Sequence, residues 1–303
     1  MQSIPCPAAI ACRSMMTKLA IGRHIEQAMK TNTISITILI DNTPSENLRS
    51  EHGLSLWINY GDKRILFDTG QSSLLLRNAK ILDIDLANTD AIVISHGHYD
   101  HTGCLSNVLD IASNAKIYLH PAATEPKFSK KASGAISIGM PDSAKKAVQG
   151  RHVIWTATPA QLFPGIAVTG QVPRMNDFED VGGAFFVDEN CRKSDELLDD
   201  QALFIGTAKG LVVVLGCAHS GVVNTLDYIS KSTGQNKIYA VIGGMHLINA
   251  SQMRIANTID ALKKYEIQKI VPLHCTGRKA MVDLENSFGD KCLLWGAGGR
   301  ISL

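Results

Sequence analysis

Four side chains that commonly bind metal ions lie close together in the segment SHGHYDHTG, residues 95–103. His96, His98, Asp100 and His101 fall within six consecutive positions, directly after the apolar run AIVI. Three imidazoles and a carboxylate gain little stability from each other alone. Around a cation they make sense, because imidazole nitrogen and carboxylate oxygen are common ligands of zinc, iron and manganese. The segment therefore predicts a metal site at the end of a strand.

Three further histidines each follow an apolar strand candidate: LVVVLGCAH ends at His219, YAVIGGMH at His246 and IVPLH at His274. Parallel strands place their carboxyl ends at one edge of a sheet, which is where open α/β folds hold their sites. We therefore expect these histidines to converge on residues 95–103. A single histidine at a strand end is often structural, and for His246 alone the two interpretations are about equal. The remaining histidines have no partners in sequence and are interpreted as structural: His24, His52, His120 and His152.

The elements around these residues indicate an α/β protein. ISITILIDN and AIVI are strand candidates, and LSLWINYGDKRILFDTG predicts a hairpin that turns at Gly61–Asp62. Towards the C-terminus, apolar strands alternate with helices: one helix is predicted to end at Gly234, and the next to begin after Ser251 as its cap. This alternation predicts right-handed crossovers in a parallel sheet. Residues 121–182 are rich in proline and small residues, and we interpret them as a loop-rich cover with the short strands HVIWTAT and GIAVTG.

Composition limits the classes of protein to consider. The 303 residues are 45% hydrophobic and 19% charged, with a formal net charge of +2. These values are typical of a globular protein and give no electrostatic argument for nucleic acid or a membrane as partner. Seven scattered cysteines without a CxxC pair favour reduced thiols and hence the cytoplasm. We expect an extension at residues 1–33, a single domain over 34–303, and no particular oligomeric state.

The motifs together resemble one family. His96-x-His98-x-Asp100-His101, preceded by FDTG, is similar to the metallo-β-lactamase superfamily. ITILIDN, LGCAHSGVVNTL, VIGGMHL and PLHCTG narrow the resemblance to its dihydropteroate-synthase-like branch, over about residues 34–303. The resemblance implies a four-layer αββα sandwich with the metal site at the edge of its two sheets. It also implies the activity of 7,8-dihydropterin-6-yl-methyl-4-(β-D-ribofuranosyl)aminobenzene 5′-phosphate synthase.

The resemblance also implies roles for individual residues. His96, His98 and His219 would hold one divalent metal ion, and Asp100, His101 and His274 a second. Asp100 would in addition act in catalysis, by orienting a nucleophile or a water molecule. Asp68, in the FDTG turn, would orient a ligand histidine through a hydrogen bond, the alternative being an ordinary turn aspartate.

One position departs from the family pattern. Many members carry a bridging aspartate after a glycine at a strand end, whereas the nearest equivalent here is Gly216-Cys217. Cys217 would be either a metal ligand or a small buried residue next to the site. We therefore expect one or two metal ions, zinc first, with iron or manganese as alternatives. His98 stands where a glutamate would indicate oxygen-reducing relatives, and so favours hydrolysis or group transfer.

The substrate contacts and the reaction are less specified by the sequence. Arg174 and Arg278 are candidates for binding phosphate, with solvated arginines as the alternative, and His246 and Thr276 are candidates for substrate contact. The first hypothesis is a synthase that joins a dihydropterin diphosphate to an aminobenzene ribofuranosyl phosphate with loss of pyrophosphate. The second is a phosphodiesterase-like hydrolase, and the third is a metal-binding or ligand-binding module without catalysis.

Overall fold

Residues 33–45 and 47–303 are described by the computed structural model, and two large β-sheets organise them. The extension expected for residues 1–33 lies outside these ranges except for Thr33, as does His24. Strands are numbered along the chain as β1 to β16, and α-helices as α1 to α7. No helix in the described part combines the length and apolarity needed to cross a bilayer.

The first sheet has seven strands in the order β16-β1-β2-β3-β4-β5-β8. Strands β3, β4, β5 and β8 run parallel, whereas β1, β2 and β16 pair antiparallel with their neighbours. The bounds are β1 (Ile34–Ile40), β2 (Ser55–Tyr60), β3 (Lys63–Phe67), β4 (Ala91–Val93), β5 (Lys116–Leu119), β8 (Val153–Trp155) and β16 (Arg300–Ser302).

The second sheet has six strands in the order β15-β14-β13-β12-β10-β9, and β13, β14 and β15 are parallel. A separate small sheet has the order β11-β6-β7. The bounds are β9 (Ala160–Phe163), β10 (Ile166–Val168), β12 (Leu203–Thr207), β13 (Gly210–Leu215), β14 (Ile238–Gly244) and β15 (Lys269–Leu273), and in the small sheet β6 (Phe128–Lys131), β7 (Gly134–Ser137) and β11 (Phe185–Phe186).

The helices connect these strands. They are α1 (Leu74–Ile81), α2 (Tyr99–Thr102), α3 (Leu105–Ile111), α4 (Asp142–Val148), α5 (Val222–Thr233), α6 (Gln252–Lys264) and α7 (Arg278–Phe288). As predicted, α5 ends at Gly234, which adopts φ 71°, and α6 begins after Ser251, whose side chain accepts a hydrogen bond from the Arg254 backbone amide.

Alternation along the strands divides the core into three interfaces. On β13, Val212 and Val214 belong to a cluster shared with the first sheet, whereas Val213 on the opposite face packs with residues of the helices that follow. The outer face of the first sheet, including Leu66 and Ile92, packs on its own helices in a third cluster. Burying each such side chain contributes about 1.5–3 kcal/mol. Two sheets face to face with helices outside give the predicted αββα architecture.

The cover over residues 121–182 contains more regular structure than the sequence predicts. The strands of HVIWTAT and GIAVTG are present as β8 and β10, and β6, β7, β9 and α4 are additional elements. The hairpin of β6 and β7 pairs with β11 and forms the small sheet.

Candidate metal centre

The predicted convergence of the strand ends is present. The turn after β4 carries His96, His98 and His101, and the loops after β13 and β15 carry His219 and His274. Ring centroids lie 4.8 Å apart for His96 and His219, and 5.0 Å apart for His101 and His274. The five side chains are buried. The site therefore combines one turn of the first sheet with two strand ends of the second.

The first ligand group consists of His96, His98 and His219, whose ligand atoms lie within 4.8 Å of one another. His219 Nδ1 donates to the Val181 carbonyl at 2.8 Å, so Nε2 carries the lone pair, and it is buried without a partner among the described residues. Burial lowers the pKa of all three imidazoles, that of His98 to about 3. Three neutral imidazoles with converging nitrogens suit a divalent cation.

The second ligand group consists of Asp100, His101 and His274. Asp100 Oδ2 lies 3.2 Å from His274 Nε2 and 3.7 Å from His101 Nε2. The Nδ1 of His274 donates to Asn42 Oδ1 at 2.8 Å, and that of His101 donates to Asp68 Oδ2 at 2.7 Å. If both imidazoles are neutral, the Nε2 atoms of His101 and His274 are hydrogen-bond acceptors, and they face a third acceptor, Asp100 Oδ2. Such a set requires a proton or a cation between its members.

Charge within the second group is strongly coupled. Burial lowers the pKa of His101, but Asp68 and Asp100 outweigh that effect and raise it to about 9. For Asp100, the effect of burial is outweighed by the charge of His101 and by hydrogen bonds from His274 and His52, which hold its pKa well below the usual range. A divalent cation bound by these residues would replace the proton on His101.

Two aspartates fix the turn that carries the ligands. Asp68 is fully buried and accepts hydrogen bonds from Ser95 N and Ser95 Oγ, each at 2.7 Å, as well as from His101. Asp199 accepts from the Gly97 amide at 2.7 Å. A Cβ on Gly97 would lie 2.0 Å from the Ala123 carbonyl oxygen, so a side chain cannot be placed there without displacing the backbone. The turn is therefore held from both sides.

Cys217 lies between the two ligand groups. Its Sγ is 3.2 Å from His101 Nε2. The same Sγ lies within 4.8 Å of ligand atoms of His96 and His101 on one side, and of His219 and His246 on the other. The side chain is 3% exposed, and burial raises the pKa of its thiol well above the usual value. The position is thus adjacent to both candidate metal positions, which leaves both sequence interpretations of Cys217 in place.

His52, interpreted from the sequence as structural, lies at the site. Its Nε2 lies 3.1 Å from Asp100 Oδ2, and its side chain is 54% exposed. The hydrogen bond to Asp100 raises the pKa of His52 against the effect of burial. No strand precedes His52 directly, so no local pattern distinguishes it from a surface histidine. His120 differs from His52 in its surroundings. Its Nδ1 accepts a hydrogen bond from Ala122 N at a turn, which fits the structural interpretation.

An open pocket of about 460 Å³ is lined by members of both ligand groups: His98, Asp100, His219 and His274. Phe185 forms part of its wall, with its ring centroid 5.3 Å from that of His98 and 5.4 Å from that of His219. His246 lines the pocket as well, and Lys130 and Lys131 border it from the β6–β7 hairpin. The pocket thus has a histidine-rich floor, an aromatic wall and two lysines.

Three residues expected to contact substrate do not line this pocket. Arg174 donates from Nη2 to the carbonyls of Glu196 and His219, at 2.7 and 3.2 Å. Thr276 Oγ1 donates to the Leu273 carbonyl, which ties down the turn after β15. Arg278 is exposed at the start of α7. None of the three belongs to the lining of this pocket, and substrate contact by Arg174, Thr276 and Arg278 stays a prediction.

Comparison with known proteins agrees with this geometry. The family model of the metallo-β-lactamase superfamily matches residues 49–227. A curated 7,8-dihydropterin-6-methyl-4-(β-D-ribofuranosyl)-aminobenzene-5′-phosphate synthase of Methanocaldococcus jannaschii is 37% identical over 280 residues, covering 86% of this chain and 92% of its own. An uncharacterized protein of the same archaeon is 35% identical over 251 residues, covering 82% and 93%.

Among solved structures, Tm1679, described as a metal-dependent hydrolase of the β-lactamase superfamily, superposes with a TM-score of 0.76. It is 31% identical, and the match covers 89% of this chain and 99% of Tm1679. The motifs, the two-sheet fold and these relatives lead to one conclusion: the chain belongs to the metallo-β-lactamase superfamily.

Proposed function

We propose that this chain is a metal-dependent enzyme that joins a dihydropterin diphosphate to an aminobenzene ribofuranosyl phosphate, with loss of pyrophosphate. The observation that carries the metal-dependent part is the set of facing acceptors formed by Asp100, His101 and His274 at an open pocket. The specific reaction is supported by the curated synthase, which is 37% identical over most of both chains.

The residues present fit one or two divalent cations. His96, His98 and His219 would hold the first, as their ligand atoms lie close together. Asp100, His101 and His274 would hold the second, since Asp100 Oδ2 lies 3.7 Å from His101 Nε2 and 3.2 Å from His274 Nε2. Zinc is favoured, with iron or manganese as alternatives. Metal ions bound there would neutralise the charge that develops on the departing diphosphate.

Asp100 is the group of the chain suited to handle the proton of the nucleophile. In the proposed step, the arylamine nitrogen forms a bond to the methylene carbon, the carbon–oxygen bond to the diphosphate breaks, and pyrophosphate leaves with the electron pair. The nitrogen then loses a proton. Asp100 would orient the amine as a hydrogen-bond acceptor, and His52, half-exposed and bonded to Asp100, would pass the proton to solvent.

The pocket also suits a small molecule with a flat ring. Its volume of about 460 Å³ lies within the usual range for small-molecule sites. Phe185 offers an aromatic surface over the ligand histidines, against which a pterin or benzene ring can pack. We expect no nucleic acid or membrane partner, given the net charge of +2.

The second candidate function is hydrolysis of a phosphoester, as in a phosphodiesterase. Its support is Tm1679, described as a metal-dependent hydrolase and 31% identical to this chain. In that reaction Asp100 would orient a water molecule in place of the amine.

We also propose a cytoplasmic location, supported by the unpaired state of the five cysteines in the described part of the chain: Cys104, Cys191, Cys217, Cys275 and Cys292.

The test is an assay of the purified, metal-loaded protein with both proposed substrates, following the coupled product by mass spectrometry and pyrophosphate release in parallel. The proposal predicts product and pyrophosphate in equal amounts. Asp100→Asn is expected to lower kcat by about 10²–10⁴-fold, because it weakens the hydrogen-bond acceptor that orients the amine and removes a carboxylate candidate ligand of the second metal ion. Exposed Asp290→Asn, with the same charge change, is expected to have no effect.

Two other outcomes would contradict the synthase assignment. Release of phosphate or pyrophosphate from the diphosphate alone, without coupled product, would favour the hydrolase. Binding of either substrate without turnover in the metal-loaded protein would favour the non-catalytic module.

A further inference from the structure

The hairpin of β6 and β7 is attached directly to the turn that carries the metal-ligand candidates. Tyr99 N donates to the Ile138 carbonyl at 2.9 Å, and Ile138 N donates to the Lys127 carbonyl at 2.9 Å. His98 also forms an isolated β-bridge with Gly139. The base of the hairpin is therefore held in a defined position beside the site.

Buried ion pairs at Lys127, the residue directly before β6, hold the base of the same hairpin. Lys127 is 2% exposed, and its Nζ lies 3.0 Å from Asp195 and 2.8 Å from Asp199. Asp199 is the residue that also accepts from Gly97 in the ligand turn. The hairpin and the ligand turn thus share one carboxylate, which limits movement of one relative to the other.

Lys130 and Lys131 lie on β6, which begins directly after Lys127, and they differ from Lys127 in having no acidic partner. Both are exposed, both border the pocket, and neither side chain forms a hydrogen bond or ion pair with any described residue. Among the described residues that line the pocket they are the only lysines or arginines, and Asp100 is the only carboxylate. The hairpin therefore contributes two lysines without an acidic partner to the lining of the pocket.

We infer that Lys130 and Lys131 form a phosphate-binding subsite for the substrate of this pocket. An ammonium group is a compact point charge with three donors, which suits phosphate oxygens. The two arginines expected to bind phosphate, Arg174 and Arg278, do not line the pocket, whereas Lys130 and Lys131 do. The inference rests on the proposed function only in that the substrate carries phosphate.

The probes are inorganic pyrophosphate and ribose 5-phosphate, each titrated calorimetrically into the metal-loaded protein. Lys130→Gln/Lys131→Gln is expected to weaken binding of at least one probe by about tenfold or more, because a charge-assisted hydrogen bond contributes about a factor of ten. Lys130→Arg/Lys131→Arg is expected to restore it. The probe that responds distinguishes a diphosphate from a phosphate monoester as the bound group.

The matched control is Lys263→Gln/Lys264→Gln, two adjacent exposed lysines at the end of α6. That helix end leads into the start of β15, at the sheet edge opposite the site. Metal content, measured before and after titration, is expected to be equal in all variants. A loss confined to the hairpin variant supports the subsite.

Equal affinity of both probes for the hairpin variant and the wild type would overturn the inference, as would a wild type that binds neither probe. The result is independent of the proposed reaction. Lysine-dependent probe binding without synthase activity would support the subsite and contradict the synthase assignment. Synthase activity together with unaltered probe binding in the hairpin variant would support the synthase assignment and contradict the subsite.

Discussion

At the scale of the residue, three imidazoles of the site already form a hydrogen bond through Nδ1, the ring nitrogen that faces away from the centre of the site. His101 donates to Asp68, His274 to Asn42 and His219 to the Val181 carbonyl. Each contact fixes the tautomer and leaves Nε2 free for the centre of the site, which is how outer contacts orient metal ligands.

The sequence could identify the ligand histidines but not all of their partners. The pattern from His96 to His101 is local, so its chemistry can be read without the fold. Asn42 and His52 reach the site from a loop distant in sequence, and a lone asparagine or histidine in a loop carries no distinguishing pattern. Arg174 is of a residue type that commonly binds phosphate, but no local pattern indicates that its Nη2 donates to two backbone carbonyls.

Asp200 provides a prediction at this scale. It is buried, its Oδ2 accepts from Ser220 N at 2.8 Å, and its Oδ1 has no partner among the described residues. Burial raises the pKa of Asp200 to about 6. A carboxyl whose pKa is higher in the folded than in the unfolded protein makes the folded state lose stability as pH rises from about 4 to about 6.

Asp200→Asn removes this titration and keeps an oxygen to accept from Ser220. Relative to wild type, the metal-free variant is expected to gain about 1–2 kcal/mol in free energy of unfolding between about pH 5 and about pH 7. Urea denaturation of both proteins at the two pH values measures the difference. A difference between the two proteins that does not change with pH would contradict the assignment, and exposed Asp290→Asn serves as control.

At the scale of the element, the strands and helices around the site follow from local rules. Apolar strands alternating with capped helices predicted the parallel run of β13, β14 and β15, and Gly61–Asp62 predicted the hairpin of β2 and β3. The β6–β7 hairpin could not be predicted in the same way. Its sequence FSKKASGAIS is largely exposed and lacks a clear apolar alternation, and it depends on pairing with β11, more than 50 residues later.

Lys127 provides a prediction for this element. Lys127→Met removes the cation between Asp195 and Asp199 and leaves two buried carboxylates without a counter-ion. Breaking a buried ion pair in this way costs about 3–5 kcal/mol. Because Asp199 also holds Gly97, metal affinity is expected to fall as well.

Chemical denaturation and metal titration measure the two effects. Lys146→Met, on the exposed side of α4, is expected to change stability by less than about 0.5 kcal/mol. If Lys127→Met were no more destabilising than this control, the ion pair would not hold the hairpin in the way described.

At the scale of the whole molecule, each candidate metal position combines both sheets. His96, His98, Asp100 and His101 follow β4 of the first sheet, whereas His219 and His274 follow strands of the second. Neither sheet alone supplies a complete ligand set. The apolar core between the sheets, which includes Val212 and Val214, therefore determines whether the ligands meet.

The central claim is that two metal positions share this edge, and the most direct test counts metal ions per chain. Protein purified without chelators would be analysed by elemental mass spectrometry as wild type, as His101→Ala and as His152→Ala, a histidine outside the site. We predict about two metal ions in the wild type and the control, and about one in His101→Ala, because only the second position loses a ligand. About one ion in wild type and His101→Ala alike would eliminate the second position, and no bound metal in the wild type would contradict the metal-dependent function.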